Sequence, residues 1–200
     1  AGNTGALLAG SLFNVGRINC IDRPAIASPY LTKKGISILV DAGANAECKP
    51  RNLLEFGVMG SIYVEKVFDR PKPSIGLVNI GSEVGKGNQL IKESYELFSN
   101  SNLNFYGNLE AREIPNGYVD VIVCDGFVGN VILKLTEGVA STLMSMVKEQ
   151  LQSGIINKLA GAMLISSFKE IKKSFDYAEY GGAPLLGINK TVIKIHGNSD

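Results

Sequence analysis

The stretch VDVIVCDGFVGNVILKL, residues 119–135, places a strand, a polar corner and a helix in direct succession. Its apolar residues run from Val121 to Cys124, which is typical of a strand buried on both faces of a sheet. The corner DGFVGN, residues 125–130, follows, and then apolar residues recur at helical spacing. The corner is either a turn that requires glycine or a place where backbone amides hold an anion.

Two further segments have the same design, GISILVDAGAN (35–45) and PSIGLVNIGSEVGKGN (73–88). Each runs from an apolar strand into a loop of glycine and asparagine, and helical periodicity follows after Pro50, Asn88 and Asn130. Short apolar strands that alternate with helices indicate a mostly parallel sheet covered on both faces. The sequence therefore predicts an α/β fold. Residues 16–35 contain no comparable pattern and are interpreted as rich in loops.

The composition indicates one intracellular domain. The 200 residues are 45% hydrophobic, which is enough for one core, and we predict a single domain over residues 1–200. A net charge of +1 gives no electrostatic reason to expect nucleic acid as a partner. Cys20, Cys48 and Cys124 show no CxxC spacing, and the one histidine is His196, so we predict no metal site and a reducing cytoplasm. No apolar run approaches the roughly 20 residues of a membrane span.

Both ends of the chain suggest a fragment. The first residues, AGNTGALLAGSLFNVGRI, read as a helix without its preceding strand, and the last, TVIKIHGNSD, as a strand without its following helix. Residues of about 140–178 read as two helices joined near 152–155 that protrude from the core. Their apolar side predicts a second copy of the chain as partner, or a membrane surface; an ordinary helix packed on its own core is the alternative.

Three asparagines, Asn3, Asn88 and Asn130, each follow a glycine and precede a helical pattern. Asparagine is a favoured N-cap, so three capped helices explain the residue type. If the sheet is parallel, however, such corners gather at the carboxyl ends of its strands, where α/β proteins bind ligands. Because helix N-termini attract anions, the pattern also favours an anion site.

The loop GSEVGKGN, residues 81–88, is not a P-loop, since only three residues separate Gly81 from Gly85 and Gly87 follows Lys86. Lys86 is either a charge that neutralises phosphate or an ordinary solvated lysine. No G-x-G-x-x-G follows a strand, which argues against a nicotinamide dehydrogenase. His196, which alternates with Lys194 on the last strand, is a general acid–base or a structural residue. Cys124 is interpreted as part of the strand packing.

A set of motifs in this order resembles the PlsX family, the acyl-acyl carrier protein:phosphate acyltransferases of bacterial phospholipid synthesis. The motifs run across nearly all of the chain: AGNTGALLAGSLFNVGRI, DRPA, DAGAN…CKP, MGSIY, GLVNIGSEVGKGN, DGFVGNVILKLTEG and YGGAPLLGIN…IKIHGNSD. The family extends further at both ends. The resemblance implies a three-layer Rossmann-like fold akin to phosphotransacetylases and isopropylmalate-type dehydrogenases, with a protruding helix hairpin.

The resemblance also implies a reaction and partners. Inorganic phosphate would attack the thioester of a fatty acyl carrier protein and give acyl phosphate without a cofactor. The product would feed a membrane glycerol-3-phosphate acyltransferase. The protein would be a homodimer in the cytoplasm that contacts the membrane surface reversibly.

By the same resemblance, three residues are expected to be catalytic: Lys86, Asn130 and His196. The expected substrate- or phosphate-binding residues are Asn3, Thr4, Asp41, Asn45, Asn88, Asp125 and Gly129. Two alternatives are a phosphotransacetylase-like enzyme acting on short acyl-coenzyme A and a non-catalytic membrane-associated scaffold.

Overall fold

A computed structural model describes residues 3–154, 157, 161, 163, 164 and 182–195 of the chain. The helices are α1 (Thr4–Asn14), α2 (Pro50–Phe68), α3 (Gln89–Ser99) and α4 (Gly126–Gln152), with a 3-10 helix at Ala111–Asn116. The strands are β1 (Ala25–Thr32), β2 (Gly35–Val40), β3 (Ile75–Asn79), β4 (Phe105–Glu110), β5 (Val121–Val123), β6 (Ala183–Leu186) and β7 (Ile193–Lys194).

The seven strands of the described residues form one sheet in the order β4-β3-β5-β2-β1-β6-β7. β4, β3, β5 and β2 are mutually parallel, whereas β1 is antiparallel to β2 and to β6, and β7 is antiparallel to β6. Five of these seven described strands therefore run in the same direction. The carboxyl ends of the parallel strands consequently lie along one edge of the sheet.

Helices cover both faces of the sheet. α2 and α3 pack on one face, where Leu53, Phe56 and Phe98 lie against Val40, Val121 and their neighbours. On the other face, Leu8 of α1, its C-cap residue Val15, and Val128, Ile132 and Leu133 of α4 form a second apolar layer. This three-layer arrangement confirms the α/β fold class predicted from the alternation of strands and helices.

The three segments that define the fold begin with strands as predicted, and helices follow them. β2 and β3 begin the segments 35–45 and 73–88, and β5 occupies the apolar part of 120–130. The interpretation of residues 16–35 as loop-rich was wrong, because the buried strand β1 fills Ala25–Thr32. Pro29 obscured it. β6 pairs with β1 only at Ala25 and Ile26, so on that side no strand is hydrogen-bonded to β1 near Pro29. A proline, which has no backbone N–H, is tolerated there.

The prediction that Asn130 caps a helix was also wrong. α4 begins at Gly126, and its N-cap is Asp125, whose side chain accepts a hydrogen bond from Val128 N. Asn130 therefore lies inside the first turns of α4. The helix starts this early because glycine at 126 lets it approach the end of β2: a Cβ there would lie 2.7 Å from the backbone of Asn45.

α4 reaches Gln152 with only two buried residues, both of them glycines at its start. Much of its remaining length faces away from the described core, and the second helical pattern, about 155–175, lies almost wholly outside the described residues. Within the described residues, no helix combines the length and apolar character that crossing a membrane requires.

Candidate functional site at the carboxyl edge of the sheet

Three loops meet the carboxyl edge of the parallel strands. Residues 41–45 follow β2, residues 124–126 lead from β5 into α4, and residues 80–88 lead from β3 to α3. β5 lies between β2 and β3 in the sheet, so the three loops are neighbours. Such an edge is where open α/β sheets bind their ligands.

Asp41, directly after β2, is completely buried and organises the first loop. Its carboxylate accepts hydrogen bonds from Ile26 N at 3.0 Å, Gly43 N at 3.1 Å, Ala44 N at 3.0 Å and Asn45 N at 2.7 Å, and from Asn45 Nδ2 at 2.8 Å. Burial raises the pKa of the Asp41 carboxyl above its usual range, while these N–H donors oppose the rise. The amides of this loop are thus occupied by the protein's own carboxyl group.

Asn45 joins the same loop to two other elements. Its Nδ2 donates to Pro24 O at 2.8 Å, at the start of β1, and its carbonyl oxygen accepts from Gly126 N at 2.7 Å. The first amide of α4 is therefore bound within the protein. Val128 N is bound as well, to the cap Asp125 at 2.9 Å. These amides of the helix N-terminus are not available to a ligand.

Gly129 lets α4 press against the loop that follows β2. A Cβ at this position would lie 1.9 Å from the Asp41 carbonyl oxygen and 3.1 Å from Cys124 Sγ. Cys124 itself is buried, and its thiol lies 3.7 Å from the same carbonyl, which agrees with its interpretation as strand packing. The two glycines of DGFVGN thus permit a close approach of helix to loop.

This close approach brings Asn130 to the surface of the site. Its Cβ lies 3.4 Å, and its Oδ1 3.6 Å, from the position that a Cβ of Gly43 would occupy. Gly43 has a φ of +127°, which other residues rarely adopt. The Asn130 side chain is solvent-exposed and lies beside the partly exposed Gly43. It can donate a hydrogen bond to a ligand at this edge.

Lys86 lies in the adjacent loop, between β3 and α3. Its side chain is exposed, and its backbone N donates to Glu83 O at 3.1 Å. Asn88, two residues on, caps α3 by accepting from Ile91 N at 3.0 Å. The loop thus places an ammonium group on a flexible side chain at the end of β3, next to β5, which leads to Asn130.

The structure therefore separates the predicted site residues into groups. One cluster around β2 and β5 contains Asp41, Asn45, Asp125, Gly129 and Asn130. Lys86 and Asn88 lie at the neighbouring end of β3.

The other predicted site residues are at the N-terminus of α1 or beyond the described part. Asn3 caps α1 by accepting from Ala6 N at 3.1 Å, and Thr4 is the first residue of that helix. His196 lies outside the described residues.

Sequence reasoning missed Asn79 and Asn108, two buried asparagines on β3 and β4. Their amides donate to carbonyls of the Lys86 loop, from Asn79 to Lys86 O at 3.1 Å and from Asn108 to Glu83 O at 2.9 Å. A signal was present, because an asparagine in an otherwise buried strand requires hydrogen-bond partners.

No cluster of three or more acidic, histidine or cysteine side chains suited to a metal ion occurs among the described residues.

The family model described as "Fatty acid synthesis protein" matches residues 1–200 of the chain. A phosphate acyltransferase from Alkaliphilus oremlandii is 62% identical over 200 residues, which are 100% of this chain and 60% of that protein. A phosphate acyltransferase from Clostridium tetani is 54% identical with the same coverage of both proteins. The chain thus spans about 60% of the length of these relatives.

Two solved structures share the fold. A phosphotransacetylase from Streptococcus pyogenes matches with a TM-score of 0.55 at 19% identity, over 70% of this chain and 48% of that one. The EutD phosphotransacetylase from Staphylococcus aureus matches with a TM-score of 0.54 at 15% identity, over 70% and 49%. Because the family model covers the whole chain and the relatives share more than half of its residues, the chain belongs to the fatty acid synthesis protein family, the PlsX family that its motifs resemble.

Proposed function

We propose that this chain is part of an acyltransferase that moves a long-chain fatty acyl group from acyl carrier protein to inorganic phosphate. The acyl phosphate formed would serve phospholipid synthesis. The observation that carries the proposal is the 62% identity, over all 200 residues, to a protein named phosphate acyltransferase. That name supports phosphate and an acyl group as substrates, while the long chain and the carrier protein rest on the family resemblance.

The proposed reaction needs no cofactor. An oxygen of hydrogenphosphate attacks the thioester carbonyl carbon, a C–O bond forms, and the tetrahedral intermediate carries its charge on the former carbonyl oxygen. The C–S bond then breaks, and the proton of hydrogenphosphate ends on the sulfur of the released carrier. Phosphate already supplies a nucleophilic oxygen at neutral pH, so the protein's contribution is to hold it and to stabilise charge.

Lys86 and Asn130 are the residues we assign to these tasks. Both side chains are exposed at neighbouring strand ends, so a ligand at this edge can reach them. The ammonium group of Lys86 would bind and orient phosphate. The Asn130 amide would donate a hydrogen bond to phosphate or to the developing oxyanion.

The other residues of the cluster are assigned supporting roles. Asp41 and Asn45 use their polar groups within the protein, so we propose that they act by shaping the loop against which Asn130 stands. Asp125 and Gly129 place the start of α4 there.

The remaining site predictions concern other parts of the chain. Asn3, Thr4 and Asn88 stay predicted substrate-binding residues at helix N-termini. His196 stays a predicted acid–base residue.

We propose a homodimer as the working form, and α4 supplies the argument. Its exposed apolar side chains recur every three or four residues and form a continuous stripe: Phe127, Val131, Leu135, Val139, Leu143, Met146 and Val147. A helix face that remains in solvent is usually polar, and an exposed apolar stripe of this length is typical of an interaction surface. A second copy would cover it.

Further proposals rest on the sequence patterns and the family resemblance. They are a reversible contact with the membrane surface, a cytoplasmic location, transfer of the product to a membrane glycerol-3-phosphate acyltransferase, and one domain over residues 1–200 with a protrusion at about 140–178.

The test is phosphate-dependent formation of acyl phosphate from palmitoyl-acyl carrier protein, trapped with hydroxylamine, in the whole protein that contains this chain. We expect Lys86→Ala and Asn130→Ala to fold normally and to lose roughly 100-fold or more in turnover, the scale for loss of one charge-stabilising donor. Lys92→Ala, which removes an exposed lysine of α3, and Asn100→Ala, at the end of α3, are the matched controls and should retain full turnover.

Two results would contradict the proposal. A folded protein that turns over short acyl-coenzyme A and not palmitoyl-acyl carrier protein would favour the phosphotransacetylase-like reaction. Vesicle binding without any phosphate-dependent turnover would favour a membrane-associated scaffold. Full activity of Lys86→Ala and Asn130→Ala would leave the reaction in place and remove both residue assignments.

A further inference from the structure

The loop that carries Lys86 rests on two buried asparagines. Asn79 is the last residue of β3 and 7% exposed, and Asn108 lies within β4 and is 5% exposed. Asn108 pairs in register with Leu77, which packs on the α2–α3 face of the sheet. Because side chains alternate along a strand, Asn79 faces the same side as Leu77. Both asparagines thus lie on the face over which the chain passes from β3 to α3.

Their amides fix the backbone of Lys86, one directly and the other through the Glu83 carbonyl. Asn79 Nδ2 donates directly to Lys86 O at 3.1 Å. Lys86 N donates to Glu83 O at 3.1 Å, and the same oxygen accepts from Asn108 Nδ2 at 2.9 Å. The Lys86 carbonyl is therefore held directly by Asn79, whereas the Lys86 N–H is held by the Glu83 carbonyl that Asn108 in turn fixes.

The glycines around Lys86 make these contacts fit. A Cβ at Gly87 would lie 2.5 Å from Asn79 Oδ1, and the φ of +94° at Gly87 favours glycine. A Cβ at Gly81 would lie 2.7 Å from Glu83 Oε2 and 3.1 Å from Lys86 Cγ. The glycines of this loop do not form a P-loop. Instead, they allow Lys86 and the residues that hold its backbone to pack closely together.

Stability alone does not account for Asn108. Its Oδ1 is buried and has no hydrogen-bond partner among the described residues. An unsatisfied buried acceptor lowers stability, whereas leucine has a similar size and carries no polar group. The amide nitrogen, which holds the Glu83 carbonyl, is the part of Asn108 that has a function in the structure.

We propose that Asn79 and Asn108 are positioning residues that direct the Lys86 side chain towards the phosphate at the carboxyl edge of the sheet. This inference rests on the proposed function of the site. A lysine reaches its ligand through four rotatable bonds, so the direction of its Cα–Cβ bond decides which region the ammonium group samples. Fixing both peptide groups fixes that direction, and small misplacements of a charge at a reacting centre lower the rate strongly.

The test compares Asn79→Ala and Asn108→Leu with Asn104→Ala in the whole protein that contains this chain. Asn104 is the matched control, since its Nδ2 donates to a loop carbonyl, Lys72 O, at 2.9 Å next to the opposite end of β4. We expect Asn79→Ala and Asn108→Leu to lower kcat/KM for phosphate by roughly tenfold or more. The Tm of Asn108→Leu should not fall, and Asn104→Ala should keep the kcat/KM of the wild type.

The decisive measurement is a double-mutant cycle with Lys86→Ala. If the asparagines act through Lys86, adding either substitution to Lys86→Ala should change the rate by less than about twofold. Losses that multiply in the double variants would show that the asparagines act independently of Lys86 and would overturn the inference. So would single variants with the wild-type kcat/KM.

Failure of the proposed function would be visible separately, as a wild-type protein that forms no acyl phosphate. Inorganic phosphate titrated by calorimetry into the same variants then tests the positioning role without turnover. Weaker binding in Asn108→Leu and Asn79→Ala, but no further loss in the Lys86→Ala background, supports it. Equal binding in all variants, or no binding to the wild type, overturns it.

Discussion

At the scale of the residue, Gly129 and Asn130 show how adjacent positions on one helix serve different ends. Gly129 faces inward, where its lack of a side chain lets α4 touch the Asp41 carbonyl. Asn130 faces outward, where its amide is exposed next to Gly43. Gly129 therefore determines where Asn130 lies relative to the loop after β2.

Gly129→Ala should destabilise the protein by roughly 1–3 kcal/mol, because its Cβ would overlap the Asp41 carbonyl oxygen and force helix and loop apart. Acyl-phosphate formation should fall with it, since Asn130 would move. Gly138→Ala on the same helix is the control: beyond the helix's own backbone nothing lies within 4 Å of the added Cβ, and alanine favours the helix by up to about 1 kcal/mol. Urea denaturation distinguishes the two, and equal stability of both variants would refute the overlap.

The three cysteines should differ sharply in reactivity. Cys20 is exposed, whereas burial, helped by the nearby Asp41 and Asp125 charges, raises the pKa of Cys48 to about 12. Burial likewise raises the pKa of the Cys124 thiol well above its usual value. At pH 8 a thiol with a pKa of about 12 is thiolate in roughly one molecule in ten thousand. Iodoacetamide at pH 8 should therefore modify Cys20 first, as read by peptide mass spectrometry.

The control for this experiment is the denatured protein, in which all three thiols should react. Modification of Cys48 in the folded protein at the rate of Cys20 would mean that the loop after β2 is more open than the structure shows.

At the scale of the element, the amino ends of β3 and β5 are joined by one carboxylate. Asp120 accepts from Ser74 N at 2.9 Å, Ser74 Oγ at 2.7 Å and Arg70 Nη1 at 3.1 Å. Burial alone would raise the pKa of Asp120, but the bonds from Ser74 and Arg70 outweigh it and lower the pKa. This pairing helps to align the strands that carry the Lys86 loop and the Asn130 corner.

A lowered pKa in the folded state stabilises the protein above the pKa of the unfolded chain, about 3.9, and the effect is lost as the pH falls through the folded pKa. Asp120→Asn should therefore lower the free energy of unfolding at pH 7 by about 1 kcal/mol and reduce its loss below pH 4. Asp69→Asn, at an exposed aspartate that ends α2, is the control and should change the free energy of unfolding at pH 7 by less than about 0.5 kcal/mol. If the free energy of unfolding decreased equally below pH 4 in the wild type and in Asp120→Asn, the proposed contribution of Asp120 to stability would be excluded.

At the scale of the whole molecule, α4 connects the site to the proposed dimer. One end of the helix holds Asn130, and its apolar stripe continues away from the described core to Val147. A partner that covered the stripe would therefore also limit the movement of the helix that bears Asn130.

Leu135→Glu should convert the proposed dimer to a monomer at micromolar concentration, because Leu135 is 64% exposed at the middle of the stripe and a buried glutamate would have no partner. Ser141→Glu, on the opposite side of α4, is the control and should remain dimeric. Light scattering during size-exclusion chromatography measures the molar mass of both variants and of the wild type. A wild-type protein that elutes as a monomer, or a Leu135→Glu variant that stays dimeric, would refute the stripe as the interface.

The sequence by itself determined the order of the elements that build the site. β2, β3, β5 and the helices that follow them were predictable, because short apolar strands and helical periodicity are local patterns of adjacent residues. The motif order also predicted the family. β1 escaped prediction because Pro29 is a signal against strand, and only the short pairing of β6 with β1 explains why it is tolerated.

The tertiary structure decided which residue does what at the carboxyl edge. Gly-Asn before a helical pattern is a local signature that predicts Asn130 as a cap, yet the approach of α4 to the end of β2 starts the helix five residues earlier, after Asp125. Asp41 is buried against amides of its own loop, and the Lys86 peptide groups are held by Asn79 and by a carbonyl that Asn108 also binds. The contact of Asn108 with Glu83 joins two different elements, and it depends on how neighbouring strands are aligned in the sheet. The contacts of Asp41 with Asn45 and of Asn79 with Lys86 depend on how each loop folds back on the strand before it. Hydrophobic periodicity carries no information about either kind of contact.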